Sequence, residues 1–247
     1  MLIWSRRWAI RSIETARSAL SPADYDAWYD SPRGSWIGQT EYCLMSNELA
    51  LPVEGRILDV GCGTGWFTRQ LAALPSLHVT GIDLDADFLA FARHRDARST
   101  YLPADALALP FADNSFDQVL SVAALCFTAD WQKAVSEIVR VTRKRFAIGL
   151  LNGHSLLWLD KGRHGGRGAY RGALWLSPEE FRDSLKALPV ANVRLRSAIF
   201  LPSGSIAART VERLLSGRVP WGGFMVLSGE KRFPASGDGQ HQVSDRL

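Results

Sequence analysis

The stretch that decides the fold runs from Ile57 to Gly65, "ILDVGCGTG". A short apolar run stops at three alternating glycines, Gly61, Gly63 and Gly65. That is the pattern of a buried strand ending in a bare turn. Glycines there let the backbone approach a ligand with no Cβ in the way. The next segment, "WFTRQLAAL", reads as a helix, and its first N–H groups would point at the same place. Open parallel sheets bind nucleotide-like ligands beyond the carboxyl ends of their strands, where such turns lie.

Working outward, strand and helix alternate. "HVTGIDL" reads as a second strand and "ADFLAFARHR" as a second helix; "STYLPAD" holds a third strand and "FDQVLSV" a fourth. The helical "WQKAVSEIVRVT", with Ala134, Ile138 and Val141 at helical spacing, leads to a fifth strand, "RFAIGLL". This alternation predicts βαβ units and a parallel sheet covered on both faces. Residues 21–51 read as loop, then helix, with "DSPRGSW" as a turn. After Leu151 the chain turns rich in glycine and arginine. A helix-start signal follows at Ser177-Pro178-Glu179-Glu180, then the strand-like "NVRLRSAIFLP" and "GGFMVLSGEKR". The expected organisation is one domain over 21–232. Its cofactor-binding core spans about 55–150, with substrate-side elements at 21–51 and 152–220. Residues 1–20 read as a basic amphipathic extension and 233–247 as a disordered tail.

The 247 residues are 47% hydrophobic and 22% charged, enough apolar material for a sizeable core. A net charge of +4 is too weak to demand a nucleic-acid partner. Cys43, Cys62 and Cys126 have neither zinc-ligand spacing nor the even count of a disulfide framework. The expectation is therefore a cytoplasmic protein with no metal site. No apolar run approaches the ~18 residues of a membrane span. Arg6, Arg7 and Arg11 interrupt the N-terminal apolar residues, so this end does not read as a secretory signal. Contact with a membrane surface is the weaker reading of that end.

The spacing G-x-G-x-G differs from the dinucleotide fingerprint G-x-G-x-x-G. Asp59, two residues before Gly61, would repel a pyrophosphate and suit a cation. Asp83 ends the second strand, where a carboxylate can accept hydrogen bonds from two ribose hydroxyls. Asp105 follows the third strand, where an adenine edge would lie. Acids at three successive strand ends point to a positively charged, adenosine-bearing cofactor.

In order and spacing, "LDVGCGTG", "GIDLD" and "ADALALPFADNSFDQVLSV" resemble the motifs of the class I S-adenosylmethionine-dependent methyltransferases. The phrases "YDAWYDSPRG" and "SPEEF" resemble the ubiquinone/menaquinone-type (methyltransferase type 11-like) branch, which acts on small molecules. The resemblance implies an α/β, Rossmann-like three-layer sandwich. Its seven-stranded sheet would be mostly parallel, with the last strand antiparallel in a closing hairpin. It implies S-adenosyl-L-methionine as cofactor and S-adenosyl-L-homocysteine as product. Gly61, Cys62, Gly63, Thr64 and Gly65 would line the methionine part, and Asp59 would meet its amino end. Asp83 would hold the ribose, Leu84 would pack on the adenine, and Asp105, with Ala106 beside it, would accept from the adenine amine. Val122 would pass near the sulfonium.

The acceptor is less legible. Displacement at a methyl group needs alignment more than a base. The loop after the fourth strand has no Pro-Pro pair, and Cys126 follows Leu125, not a proline. Both facts argue against enzymes that methylate nucleobases. Acceptor-side candidates are Trp28 and Trp36 before the glycine turn, and Asn152, Arg163, Arg167 and Tyr170 after the fifth strand. His154 and Tyr25 are candidate bases. Lys161, Arg163, Arg167 and Arg171 among glycines read as a mobile lid over an anionic group. The expected activity is methyl transfer to a small-molecule acceptor. An RNA or protein acceptor, or cofactor binding without catalysis, remains the alternative; a nicotinamide oxidoreductase fits the glycine spacing least. The accepting atom and the oligomeric state are not legible.

Overall fold

A computed structural model describes residues 21–52 and 54–233; the expected N-terminal extension and the tail from residue 234 lie outside the described residues. One sheet holds β1 (Gly55–Val60), β2 (Leu77–Asp83), β3 (Thr100–Pro103), β4 (Phe116–Val122), β5 (Thr142–Leu151), β6 (Val190–Ala198) and β7 (Phe224–Lys231). Their order is β3-β2-β1-β4-β5-β7-β6. Neighbours among β1 to β5 are parallel, and β7 runs antiparallel to both β5 and β6. The helices are α1 (Pro22–Trp28), α2 (Pro32–Leu49), α3 (Trp66–Ala72), α4 (Ala86–Arg95), α5 (Trp131–Val141), α6 (Pro178–Asp183) and α7 (Ile206–Leu215). None of them is long and apolar enough to cross a membrane.

The period of two along each strand makes the layers. Ile57, Leu120, Ala147 and Val226 face Leu44, Met45 and Leu49 of α2. Leu58, Val119, Phe146 and Leu227 face the opposite way, onto Ala134, Val135 and Ile138 of α5. Burying each such side chain contributes roughly 1.5–3 kcal/mol, so both faces of the sheet must be covered. The three-layer sandwich and the antiparallel last strand are as expected. The sheet order reverses between β1 and β4, which opens a crevice beyond their carboxyl ends.

Two elements correct the sequence reading. "DSPRGSW" does not form a simple turn. The Ser31 hydroxyl accepts from Gly34 N–H at 3.0 Å and caps α2, with Pro32 at the first helical position. Proline is tolerated there because that N–H has no partner within the helix anyway. The segment before it, expected as loop, is α1, capped by Ser21. The second correction is α7, which intervenes between the two closing strands. It fully buries only Ala208 and Glu212; Ala208, Val211 and Leu215 recur at helical spacing, a short stripe that the sequence reading passed over. Glu212 instead accepts from the N–H groups of Ile199 and Phe200 at 2.9 and 3.1 Å, holding the turn that leaves β6.

Candidate active site

The floor of the crevice is hydrogen-bonded across three strand ends. Gly61 and Cys62 N–H both donate to Ile82 O at 2.8 Å. Gly63 N–H donates to Asp83 Oδ2 at 2.8 Å, and Asp85 N–H to Asp83 Oδ1 at 3.0 Å. Ala104 N–H closes the set on Asp83 O at 3.1 Å. The turns after β1, β2 and β3 therefore form one unit. Gly61 has φ 74°, and a Cβ there would collide with the Cβ of Ala124. At Gly63, φ 55°, a Cβ would meet only Phe88, at 3.7 Å, so this face looks onto open space. Thr64 is 1% exposed, and its hydroxyl has no hydrogen-bond partner among the described residues.

Around this floor, Leu84 is 70% exposed at the tip of β2. Asp105 is exposed and accepts from Leu107 N–H at 2.8 Å. Ala106 and Val122 are half-buried. Asp59 is almost wholly buried and accepts from the Thr68 hydroxyl at 2.7 Å. Burial pushes its carboxyl up to about 7; the Thr68 hydrogen bond opposes this and the nearby Asp83 charge adds to it.

A roof of aromatic rings comes from α1. Tyr25 lies 5.5 Å from Phe88, and Tyr29 stacks on Trp66 at 4.6 Å and 14°. Arg69 ties this roof to the glycine turn. It donates from Nη2 to both oxygens of buried Asp26, at 2.8 and 3.1 Å, and from Nη1 to Thr64 O at 2.6 Å. A bidentate, charge-assisted contact of this kind fixes orientation as well as distance.

The wall is the segment after β5. Leu174 N–H donates to Cys126 O at 2.7 Å, and Tyr170 packs 5.5 Å from Trp175. Burial pushes the Tyr170 hydroxyl up to about 12, and the Glu41 charge adds to this.

The acceptor-side candidates are not gathered in one place. Tyr25 and Trp28 belong to the roof, half-exposed. Trp36 lines a groove of about 430 Å³ between α2 and the end of α7, with Gln39, Thr40, Arg196 and Ser216. Asn152 is fully buried; its amide donates to Pro220 O and Gly222 O and accepts from His154 N–H. That amide is a clamp for the loop before β7. His154 is exposed. Arg163 sits over the Trp158 ring at 5.5 Å, and Arg167 is exposed.

Sequence reasoning missed Tyr29, Glu41, Trp66 and the Asp26–Arg69 pair. One signal was present: Glu41 follows Gly38 by three residues and precedes Met45 by four, and both of those are buried. Among the described residues, no group of three His, Cys, Asp or Glu could hold a metal ion.

Comparison with known proteins agrees with this geometry. Residues 58–147 match the family model of a methyltransferase domain. Over 88 residues the chain is 44% identical to a malonyl-[acyl-carrier protein] O-methyltransferase of Erwinia pyrifoliae, covering 36% of this chain and 33% of that one. The chain thus spans about a third of the curated relatives it matches this way. An uncharacterized protein of Mycobacterium bovis is 30% identical over 218 residues, 83% of this chain and 70% of that one. Among solved structures, a Thermotoga maritima S-adenosylmethionine-dependent methyltransferase, described as a possible histamine N-methyltransferase, superposes with a TM-score of 0.69 at 25% identity. The match covers 85% of this chain and 95% of that one. Phosphoethanolamine N-methyltransferase 2 of Haemonchus contortus shares the fold, with a TM-score of 0.66 at 20% identity, over 91% of this chain and 60% of that one.

Proposed function

The chain belongs to the class I S-adenosylmethionine-dependent methyltransferases, and from that premise we propose that it transfers a methyl group from S-adenosylmethionine to a small-molecule acceptor. The observation that carries this reading is the crevice floor, where the bare face of Gly63, the unpartnered Thr64 hydroxyl and the exposed Leu84 lie on turns bonded together. A buried hydroxyl without a partner is costly and calls for a ligand group. These residues fit the cofactor. When bound, it supplies an electrophilic methyl group on a sulfonium.

The chain's own residues hold and enclose it. Asp59 takes the cationic amino end, Thr64 a polar atom of the methionine part, Asp83 the ribose hydroxyls, and Asp105 the adenine amine. Leu84 covers the adenine, with Cys62, Gly65, Ala106 and Val122 completing the lining. The ribose hydroxyls would share the Asp83 carboxylate with Gly63 and Asp85 N–H. The α1 roof and the segment after β5 exclude water and align the acceptor. We read 21–232 as one domain, with segment 161–172 as the lid. The three cysteines, none in a disulfide, support a cytoplasmic site of action.

Calorimetry on the purified protein tests this. S-adenosylmethionine and S-adenosylhomocysteine should bind, and NAD should not. Labelled methyl should then pass to a component of a pool of metabolite-sized acceptors. Binding of NAD without S-adenosylmethionine would overturn the reading.

A further inference from the structure

Glu41 is an acid that the cofactor does not account for. It lies on α2, one turn after Gly38. A Cβ on Gly38 would stand 2.8 Å from the Tyr29 ring and 3.1 Å from Trp66. Gly38, Glu41 and Met45 share one helix face, and the first and last of these are buried. The helix therefore carries Glu41 inward, toward the ring cluster of α1 and α3. There it is half-buried, and among the described residues it makes neither a hydrogen bond nor an ion pair.

The charge of Glu41 is felt from two sides of the crevice. It helps to raise the Tyr29 hydroxyl on α1 and the Tyr170 hydroxyl on the segment after β5. Tyr170 also feels Arg33, Cys126 and Tyr25. The carboxyl thus lies within electrostatic reach of both Tyr29 and Tyr170. Burial pushes it up to about 8.

We propose that Glu41 binds the methyl acceptor, and that the acceptor is an amine. This rests on the methyl-transfer reading above. An ammonium group would gain the carboxylate as its counter-charge, next to the electron-rich ring cluster of Tyr29 and Trp66. A carboxylate acceptor would meet like charge. The bound ammonium gives one proton to Glu41. An N–H bond breaks with its electron pair left on nitrogen, an O–H bond forms on the carboxylate, and both charges are neutralised. The nitrogen is then a nucleophile.

The test is calorimetry on the full chain with S-adenosylhomocysteine present, using phenethylamine and histamine against phenylacetate and imidazole-4-acetate. At least one amine should bind, and more tightly than its carboxylate counterpart. Glu41→Gln should weaken that amine by about tenfold or more, while S-adenosylhomocysteine affinity stays within about twofold. The inference fails if neither amine binds at millimolar concentration, if the carboxylates bind as well, or if Glu41→Gln holds the amine as wild type does. The wild-type comparison decides even if the variant does not fold. Failure of S-adenosylhomocysteine to bind the wild type would instead sink the methyl-transfer reading itself.

Discussion

Asp59 and Asp83 stand at the ends of neighbouring strands, and in the proposed function each serves the fold and the ligand at once. The Asp83 carboxylate props the glycine turn through Gly63 N–H, a role that its place at a strand end did not suggest. Asp83→Ala should therefore do two things. Losing a charge-assisted contact to the ribose should weaken S-adenosylhomocysteine about ten- to a hundredfold, or roughly 1.5–3 kcal/mol. The ligand-free protein should also melt lower, because two backbone N–H groups lose their acceptor. Calorimetry and a melting curve separate the effects, and unchanged affinity would remove Asp83 from the ribose.

Asp59 makes a pH prediction. Its folded value of about 7 lies above the ordinary 3.8, so between those values the folded chain keeps a proton that the unfolded chain has lost. The stability contributed is full below the lower value and is lost as pH rises through the higher one. A cationic ligand beside Asp59 reverses the preference, because it favours the ionised carboxylate. The affinity for S-adenosylhomocysteine should climb from about pH 5.5 to about 7, with proton release on binding. Asp59→Asn should bind more weakly and flatten that climb. A flat wild-type profile would place the amino end of the cofactor elsewhere.

Among the elements, segment 161–172 is the one whose role the fold leaves most open. Its backbone has left-handed residues at His164, Gly165, Gly166, Gly168 and Gly172. Short links hold it together: Arg167 N–H to Lys161 O at 3.0 Å and Gly172 N–H to Gly165 O at 2.9 Å. Few of its side chains are buried, so local opening costs little. Replacing residues 163–171 with a short Gly-Ser linker should leave S-adenosylhomocysteine affinity within about twofold and cut methyl transfer by about tenfold or more. Loss of cofactor binding along with the segment would make it part of the floor, not a lid.

At the scale of the whole molecule, the sheet was legible because βαβ alternation and buried apolar strands leave few topologies open. The floor was legible for the same reason: Gly61, Asp83 and Asp105 occupy strand ends, and strand ends are fixed by the fold. The roof and wall were not. Pro32 and Gly34 looked like turn residues, yet with Ser31 they start a helix. Helix α7 has almost no buried apolar face. Glu41 gains its proposed role only beside Tyr29, on a separate helix, and Tyr170, far along the chain. Asn152 and Trp36, chosen as polar and aromatic residues near the right strand or helix, turn out to clamp a loop and to line a different groove.

The bonds that join the turns after β1, β2 and β3 run almost wholly between backbone groups, with the Asp83 carboxylate as the main side-chain member. Apart from the Asp26–Arg69 pair that reaches Thr64 O, that unit uses no side chain of α1, α2 or the segments after β5 and β6. The two halves of the site can therefore drift at different rates. Lineages could exchange one acceptor for another by rewriting the roof and wall, while the cofactor seat is inherited nearly unchanged. It follows that altering the acceptor by design should begin at Tyr29, Glu41 and Tyr170, and leave the glycine turn alone.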